Sequence, residues 1–370
     1  MIDIARIRAE FPIAERAVYL NHAAIGPIPR RAQRAMAEAG EEYLVLDRGR
    51  WADRERQVRE QSAALINARP EQIAFIKNTS EGISLAANGI AWRAGDNVVV
   101  PAGDFPSVVY PWLNLADQGV EARLIAARDG RIPLDDIAAA IDGRTRAIAI
   151  STVQFKTGFR CDLAAIGALC RAHDLLFVVD GIQSLGALAC DVRRCGIDVL
   201  AADAHKWMMG PQGIGILYCS DRALERLAVR AVGWLSVKEP FEFLPQIDLL
   251  PDARRFEPGS ANSIGIFGLG GTLDLVLELG IAAIEARVLA LTDLLCDGLA
   301  RKGYRVRSPR GAGERSGIVI FDSAAHATDD LFQRLTAERV IVSVRGGGIR
   351  VSPHYYNTED EIEQALRLLP

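Results

Sequence analysis

One acid and one amine stand out by type and spacing. Asp180 closes the apolar run Leu175–Val179, and Lys206 lies just past a second apolar run, Ile197–Ala202, between His205 and Trp207 and ahead of a Pro/Gly loop. If both runs are strands of a parallel sheet, both side chains reach the crevice at the carboxyl ends of the strands, where open α/β folds bind ligands. A partly buried lysine near other cations loses proton affinity and becomes a nucleophile towards carbonyl carbon. A carboxylate beside it would hold a protonated ring nitrogen. Taken singly, such a lysine is more often solvated and such an aspartate more often a turn or cap residue.

Pyridoxal phosphate (PLP) asks four things of a protein: a lysine for a Schiff base, an acid for the pyridine nitrogen, a phosphate cradle and a ring stack. Lys206 and Asp180 answer the first two. Asn78, Thr79 and Ser80 are all N-cap types, so Thr79 and Ser80 sit at a helix start whose free N–H groups suit a phosphate, with His205 or Gln183 assisting. Phe105, at a strand end and fixed by Pro106, would cover a flat ring. Arg350 would pair a substrate carboxylate bidentately. His22, Ala23, Arg50, Trp51 and His354 are further candidates for substrate contacts, with structural roles as the alternative for the two histidines.

These residues need a framework. Apolar runs at 73–76, 98–100, 146–153, 175–179 and 214–219 read as strands, and helical spacing follows several of them. The alternation predicts an α/β fold, a mainly parallel sheet with helices on both faces. Residues 3–10, two stretches within 30–66, and 163–173 read as helices, with Arg54, Arg56 and Arg59 on a solvated face. Segment 237–258 reads as an irregular crossing, and one long helix is expected to run through Leu273–Leu279 towards Leu299. Strands at 304–307, 317–321, 340–344 and 349–352, with helices at 328–338 and 358–369, predict a smaller α+β domain. The expected division is 15–255 for the large domain and 256–370, with 1–14, for the small one.

Composition excludes other classes. The 370 residues carry 43 basic and 47 acidic side chains, a net charge of −4, which gives no electrostatic case for nucleic acid or a membrane surface. No stretch approaches the roughly 20 apolar residues of a membrane helix, and the start lacks a signal-peptide core. Six cysteines without a CxxC pair read as reduced thiols, so a cytoplasmic enzyme is expected. Glycines 265, 268 and 270 follow no strand, so a dinucleotide-binding oxidoreductase has little support.

Several motifs occur together: D-G-x-Q at 180–183, A-D-A-H-K-W at 202–207, G-P-Q-G at 210–213, T-S-E-G at 79–82 and D-F-P-S at 104–107. With these the sequence resembles the class V aminotransferases, fold type I PLP enzymes that include cysteine desulfurases, kynureninases and isopenicillin-N-epimerase-like proteins. The resemblance runs from Val18 to Thr358. It implies that Gln154, in V-Q-F-K-T-G, faces the ring hydroxyl and that Gln183 sits near the ring oxygen or phosphate. It implies that His205 supports the phosphate, and that Ser260, in F-E-P-G-S, reaches the phosphate of a neighbouring subunit in a homodimer with shared sites. Arg350, in I-R-V-S-P-H, matches the arginine for the substrate carboxylate. Cysteine desulfurases carry a catalytic cysteine on a loop just before that arginine. Here three glycines and one isoleucine separate Arg345 from Arg350, and no cysteine follows Cys296.

The expected activity is therefore PLP chemistry at Cα or Cβ of an amino-acid substrate through Lys206, aminotransferase-like or epimerase-like. The alternatives are a C–S or C–C lyase without a loop cysteine and a non-catalytic PLP-binding protein. No metal is expected. The loops 44–53 and 234–258 are expected to shape the side-chain pocket.

Overall fold

A computed structural model describes residues 3–46 and 48–370. Its centre is a seven-stranded sheet in the spatial order 73–76, 215–219, 199–203, 176–180, 145–151, 97–101, 121–125. All neighbouring pairs are parallel except those of Gly215–Cys219, which runs antiparallel to both of its neighbours. The inner strands 97–101, 176–180, 199–203 and 215–219 are buried along their whole length, and that is why they read as unbroken apolar runs. Two apolar clusters cover the two faces of the sheet. Leucine-scale side chains each contribute roughly 1.5–3 kcal/mol when buried there.

The register brings the chemistry to one end. Ser151 pairs with Asp180 and Asp180 with Ala201, so two strands finish level and the third, Val199–Asp203, runs two residues further. The loops that leave these carboxyl ends carry residues 102–107, 152–158, 181–186 and 204–214.

A second sheet, order 343–345, 348–351, 319–322, 305–306, is wholly antiparallel. The segment Val18–Tyr19 pairs with Val340–Ile341 in a separate two-stranded ribbon, so the expected strand 340–344 is two strands in different sheets. The expected long helix is two, Ser263–Leu279 and Ile281–Arg301, broken at Gly280 with φ of 78°. Its first half packs on the helices Arg30–Val45 and Arg48–Leu65. Those helices occupy most of 44–53, expected as a loop; Asp47 in that stretch lies outside the described residues. Segment 237–258 is irregular, apart from the bridge of Val237 with Leu249 and a short turn of helix at Ala253–Phe256.

Arg59 corrects the reading of a solvated arginine face. It is buried and donates to Glu257 (Oε1 at 2.5 Å), Glu55 and the carbonyl of Ile73. A guanidinium taken out of water needs such partners, and here two carboxylates and a strand carbonyl provide them.

Candidate active site

A cavity of about 360 Å³ opens at the carboxyl ends of the central strands. Its lining includes Ala23, Thr79, Ser80, Phe105, Gln183, His205, Lys206 and Arg350. Eight of the residues singled out from sequence therefore meet at one place, from chain positions more than 300 residues apart.

Lys206 is buried, and burial is the main cause that lowers its proton affinity; Arg350 adds to it, while Asp180 and Asp203 oppose it. Its Nζ lies 5.2 Å from the centroid of the Phe105 ring, which also meets Phe155 edge-on at 5.1 Å. Phe105 thus presents an aromatic face beside the lysine head. The loop at 23–27 is pressed on the lysine backbone. Gly26 donates to the His205 carbonyl, and a Cβ at Gly26 would come within 2.1 Å of the Lys206 carbonyl oxygen.

Asp180 stands behind the lining and is 1% exposed. Its Oδ1 accepts from the Ile182 N–H at 2.8 Å, while Oδ2 is buried with no partner. Burial above all, with the charge of Asp104, pushes this carboxyl up to about 7. An unmet buried acceptor of this kind calls for a cationic donor.

The end of the cavity formed by helix starts has more parts than the sequence reading assigned. Asn78 caps the helix Thr79–Gly89 by accepting from the Glu81 N–H, and Thr79 Oγ1 accepts from the Asp203 N–H at 3.0 Å. Ser80 Oγ lies 2.6 Å from Ser107 Oγ, which opens a second helix, Pro106–Leu113. Two helix starts thus present hydroxyls to one point. His205 Nδ1 sits 2.8 Å from Asp203 Oδ1. Ser107 and Asp203 were missed, although both lie inside the motifs D-F-P-S and A-D-A-H-K-W.

Gln183 donates to the Ala23 carbonyl at 3.1 Å and accepts from the Trp207 indole at 2.8 Å, which fixes the loop over the cavity. Gln154 is not in the lining; its Nε2 donates to Asp104 Oδ2 at 3.0 Å. Ser260 is exposed and outside this chain's cavity. His22 is a correction: Nδ1 engages the Ser352 carbonyl, Nε2 engages the Tyr356 hydroxyl, and burial holds the ring neutral well below its usual range. His354 is likewise a core residue, bonded to the Trp207 carbonyl and the Tyr355 N–H, with burial lowering it to about 4. Arg50 and Trp51 lie away from the cavity, Arg50 with Glu42 and Trp51 against Tyr43.

Arg350 comes from the antiparallel sheet. It is buried, donates to Ser343 Oγ at 3.2 Å and the Phe155 carbonyl at 3.3 Å, and has no carboxylate partner among the described residues. Burial, then Arg345, lower its proton affinity to about 10. The strand before it turns through two residues only, Gly346 and Gly347, with φ of 60° and 78°. Both positive angles fit a type I′ hairpin turn. No cysteine lines the cavity.

A model of the aminotransferase class-V family matches residues 19–365. The chain belongs to the aminotransferase class-V family. It is 33% identical to a probable cysteine desulfurase of Methanothermobacter thermautotrophicus, over 96% of this chain and 95% of the relative. It is 27% identical to an uncharacterized aminotransferase of Bacillus subtilis, over 83% and 81%. Among solved structures it is similar to an apo cysteine desulfurase from Thermococcus onnurineus, with a TM-score of 0.90, 25% identity, and 100% and 98% of the two chains covered.

As a class V enzyme it uses PLP and has the α/β architecture of fold type I. The residues present fit that cofactor. The orphaned Oδ2 of Asp180 matches a protonated pyridine nitrogen, the two helix starts match a phosphate, and the deprotonation-prone Lys206 matches the aldehyde carbon. Bound PLP supplies an electron-withdrawing ring conjugated to the substrate's amino nitrogen.

Proposed function

We propose that this enzyme is a C–S lyase that releases the sulfur product to solvent rather than to a protein thiol. One observation carries the reading: the chain that precedes Arg350 is a two-residue glycine turn, and no cysteine side chain reaches the cavity. Its relative from Methanothermobacter is named a probable cysteine desulfurase, which supports a sulfur-bearing α-amino acid as substrate.

Arg350 pairs the substrate α-carboxylate and fixes the orientation of Cα. Lys206 Nζ takes the Cα proton, a role its lowered proton affinity suits. The electron pair left at Cα expels the sulfur at Cβ, and the leaving thiolate collects a proton. Water then completes the balance: the thioether amino acid and one water give a thiol, pyruvate and ammonium. Thr79, Ser80, Ser107 and His205 hold the phosphate, and Phe105 covers the ring. Gln183 lines the cavity on the ring oxygen side and Ala23 stands beside the substrate, while Gln154 acts only from behind, through Asp104. An aminotransferase-like or epimerase-like outcome is the second reading. It is favoured by Lys206, a lining amine whose proton affinity is lowered, since a single lysine suffices to return a proton to Cα.

The test incubates holoenzyme with L-cystine and L-cysteine and follows pyruvate, sulfide or persulfide, and the mass of the alkylated protein. Pyruvate with low-molecular-weight sulfur and unmodified protein is expected. A persulfide on the protein, or a racemised amino acid without pyruvate, would overturn it.

The active assembly is proposed to be a homodimer in the cytoplasm, with Ser260 completing the partner's phosphate site. Ser260 is exposed, and Trp234, Phe241, Phe243, Leu244 and Ile247 are exposed apolar side chains on the loop 234–258 that leads to it. The six cysteines are all unpaired, and no helix among the described residues is long and apolar enough to cross a membrane. The two-domain division at 255/256, with 1–14 joining the smaller part, is retained as a proposal.

A further inference from the structure

A second hollow, about 680 Å³, adjoins the first and shares Phe105, Phe155 and Arg345 with it. Its far walls are apolar and aromatic, formed by Pro106, Val109, Tyr110 and Val344, and its rim is the Gly346–Gly347 turn. Where a longer loop at the turn would stand across this opening, two glycines without side chains leave it clear. The turn is held in place, because a Cβ at Gly346 would lie 2.1 Å from the Lys156 carbonyl oxygen.

The hollow carries exposed positive charge, while the carboxylate in its wall, Asp104, is buried and accepts from Ser151, Gln154 and the Phe105 N–H. Arg345 and Lys156 both line it, both are exposed, and among the described residues neither forms an ion pair. Lys156 Nζ rests 5.4 Å from the centroid of the Phe155 ring. The hairpin register pairs Ser343 with Arg350 and Arg345 with Gly348. Side chains at alternate positions share a face, so Arg345 stands on the same face as Arg350, about 7 Å further towards the turn. With Lys206, four basic side chains thus edge two joined hollows, with Asp203 in the wall of the first and the buried Asp104 in that of the second.

We propose that this second hollow is the subsite for the β-substituent of the amino-acid substrate, and that it selects substituents ending in a carboxylate. The α-carboxylate sits on Arg350, the thioether or disulfide chain runs past the contacting pair Phe105 and Phe155, and the distal carboxylate meets Arg345 and Lys156. The substrate class is a cysteine derivative with an anionic arm on sulfur. This rests on the first cavity being the amino-acid site.

Binding, not turnover, tests it. The holoenzyme is titrated with S-carboxymethyl-L-cysteine and with its neutral isostere S-carbamoylmethyl-L-cysteine, and dissociation constants are read from the cofactor absorption band. The carboxylate ligand should bind about 3- to 10-fold tighter, as expected for partly exposed ion pairs, and the ratio should shrink as salt is raised. In the double variant Arg345→Gln/Lys156→Gln the ratio should fall to about one, and Arg345→Lys should restore part of it. Equal affinities in the native enzyme, or a preference that survives the double variant, overturn the subsite. Absence of thiol release alongside an intact binding preference would count against the lyase reading and leave the subsite standing.

Discussion

In the proposed mechanism Lys206 and Asp180 divide the chemistry, and each gives a measurable consequence. Lys206→Ala should lower kcat by about 10²–10⁴-fold, as loss of a positioned proton-transfer group does, with PLP still visible by absorbance. Asp180 is a liability in the protein without cofactor. Its folded value of about 7 lies above the unfolded 3.8, so between those limits the native state holds more protons than the unfolded one. Native stability without PLP therefore declines as pH rises from about 4 to 7. Asp180→Asn removes that penalty. At pH 8 the cofactor-free variant should melt ~2–4 °C higher than the cofactor-free native protein by calorimetry. Its affinity for PLP should fall by at least ~10-fold, from the lost charged hydrogen bond. The two effects of opposite sign separate a cofactor-holding acid from a structural one.

Two elements turn local sequence into geometry. The capped start of helix Thr79–Gly89 brings Thr79 and Ser80 to the proposed phosphate end, and Thr79 ties it to the strand that ends at Asp203. Asn78→Ala should cost about 1 kcal/mol of stability and raise the dissociation constant for PLP. The hairpin at 346–347 aims Arg350. Gly346→Ala places a Cβ against a carbonyl oxygen in a left-handed conformation, a strain of ~1–3 kcal/mol. Steady-state kinetics should show KM rising far more than kcat falls, since the strain displaces the carboxylate clamp and leaves Lys206 in place. A parallel change in both constants would argue that the turn does more than aim the arginine.

At the scale of the molecule, the site draws on three layers: the parallel sheet, the antiparallel sheet and the loop at 23–27. A fourth contribution is proposed from a second copy. Mixing Lys206→Ala with a Ser260→Ala protein of reduced PLP occupancy should restore one site of native make-up in each hybrid, read as activity above the mean of the parents. Additive behaviour, or a monomeric mass in solution, would sink the shared site. The long reach of these contacts also explains what was hard to read. His22 and His354 look like functional residues by type, yet they meet only in three dimensions, 5.1 Å apart among Trp207, Tyr355 and Tyr356, where every ring nitrogen is engaged. The break at Gly280 was hidden because apolar residues recur on both sides of it at helical spacing.

The sequence by itself determined the sheet, the lysine and its acid. Buried parallel strands are written as apolar runs, and the residues at their carboxyl ends have one crevice to enter, so Asp180, Lys206, Thr79 and Phe105 were legible from type and position. The short link from Arg345 to Arg350 was legible as a count. Only the tertiary structure decided what that link does, because a register and two positive φ angles turn a spacing into a hairpin that leaves a hollow open. It also decided which polar residues face the cavity, bringing in Ser107, Asp203 and Arg345 and retiring His22 and His354. Hydrogen-bond satisfaction is settled between residues hundreds of positions apart, and no local pattern encodes it.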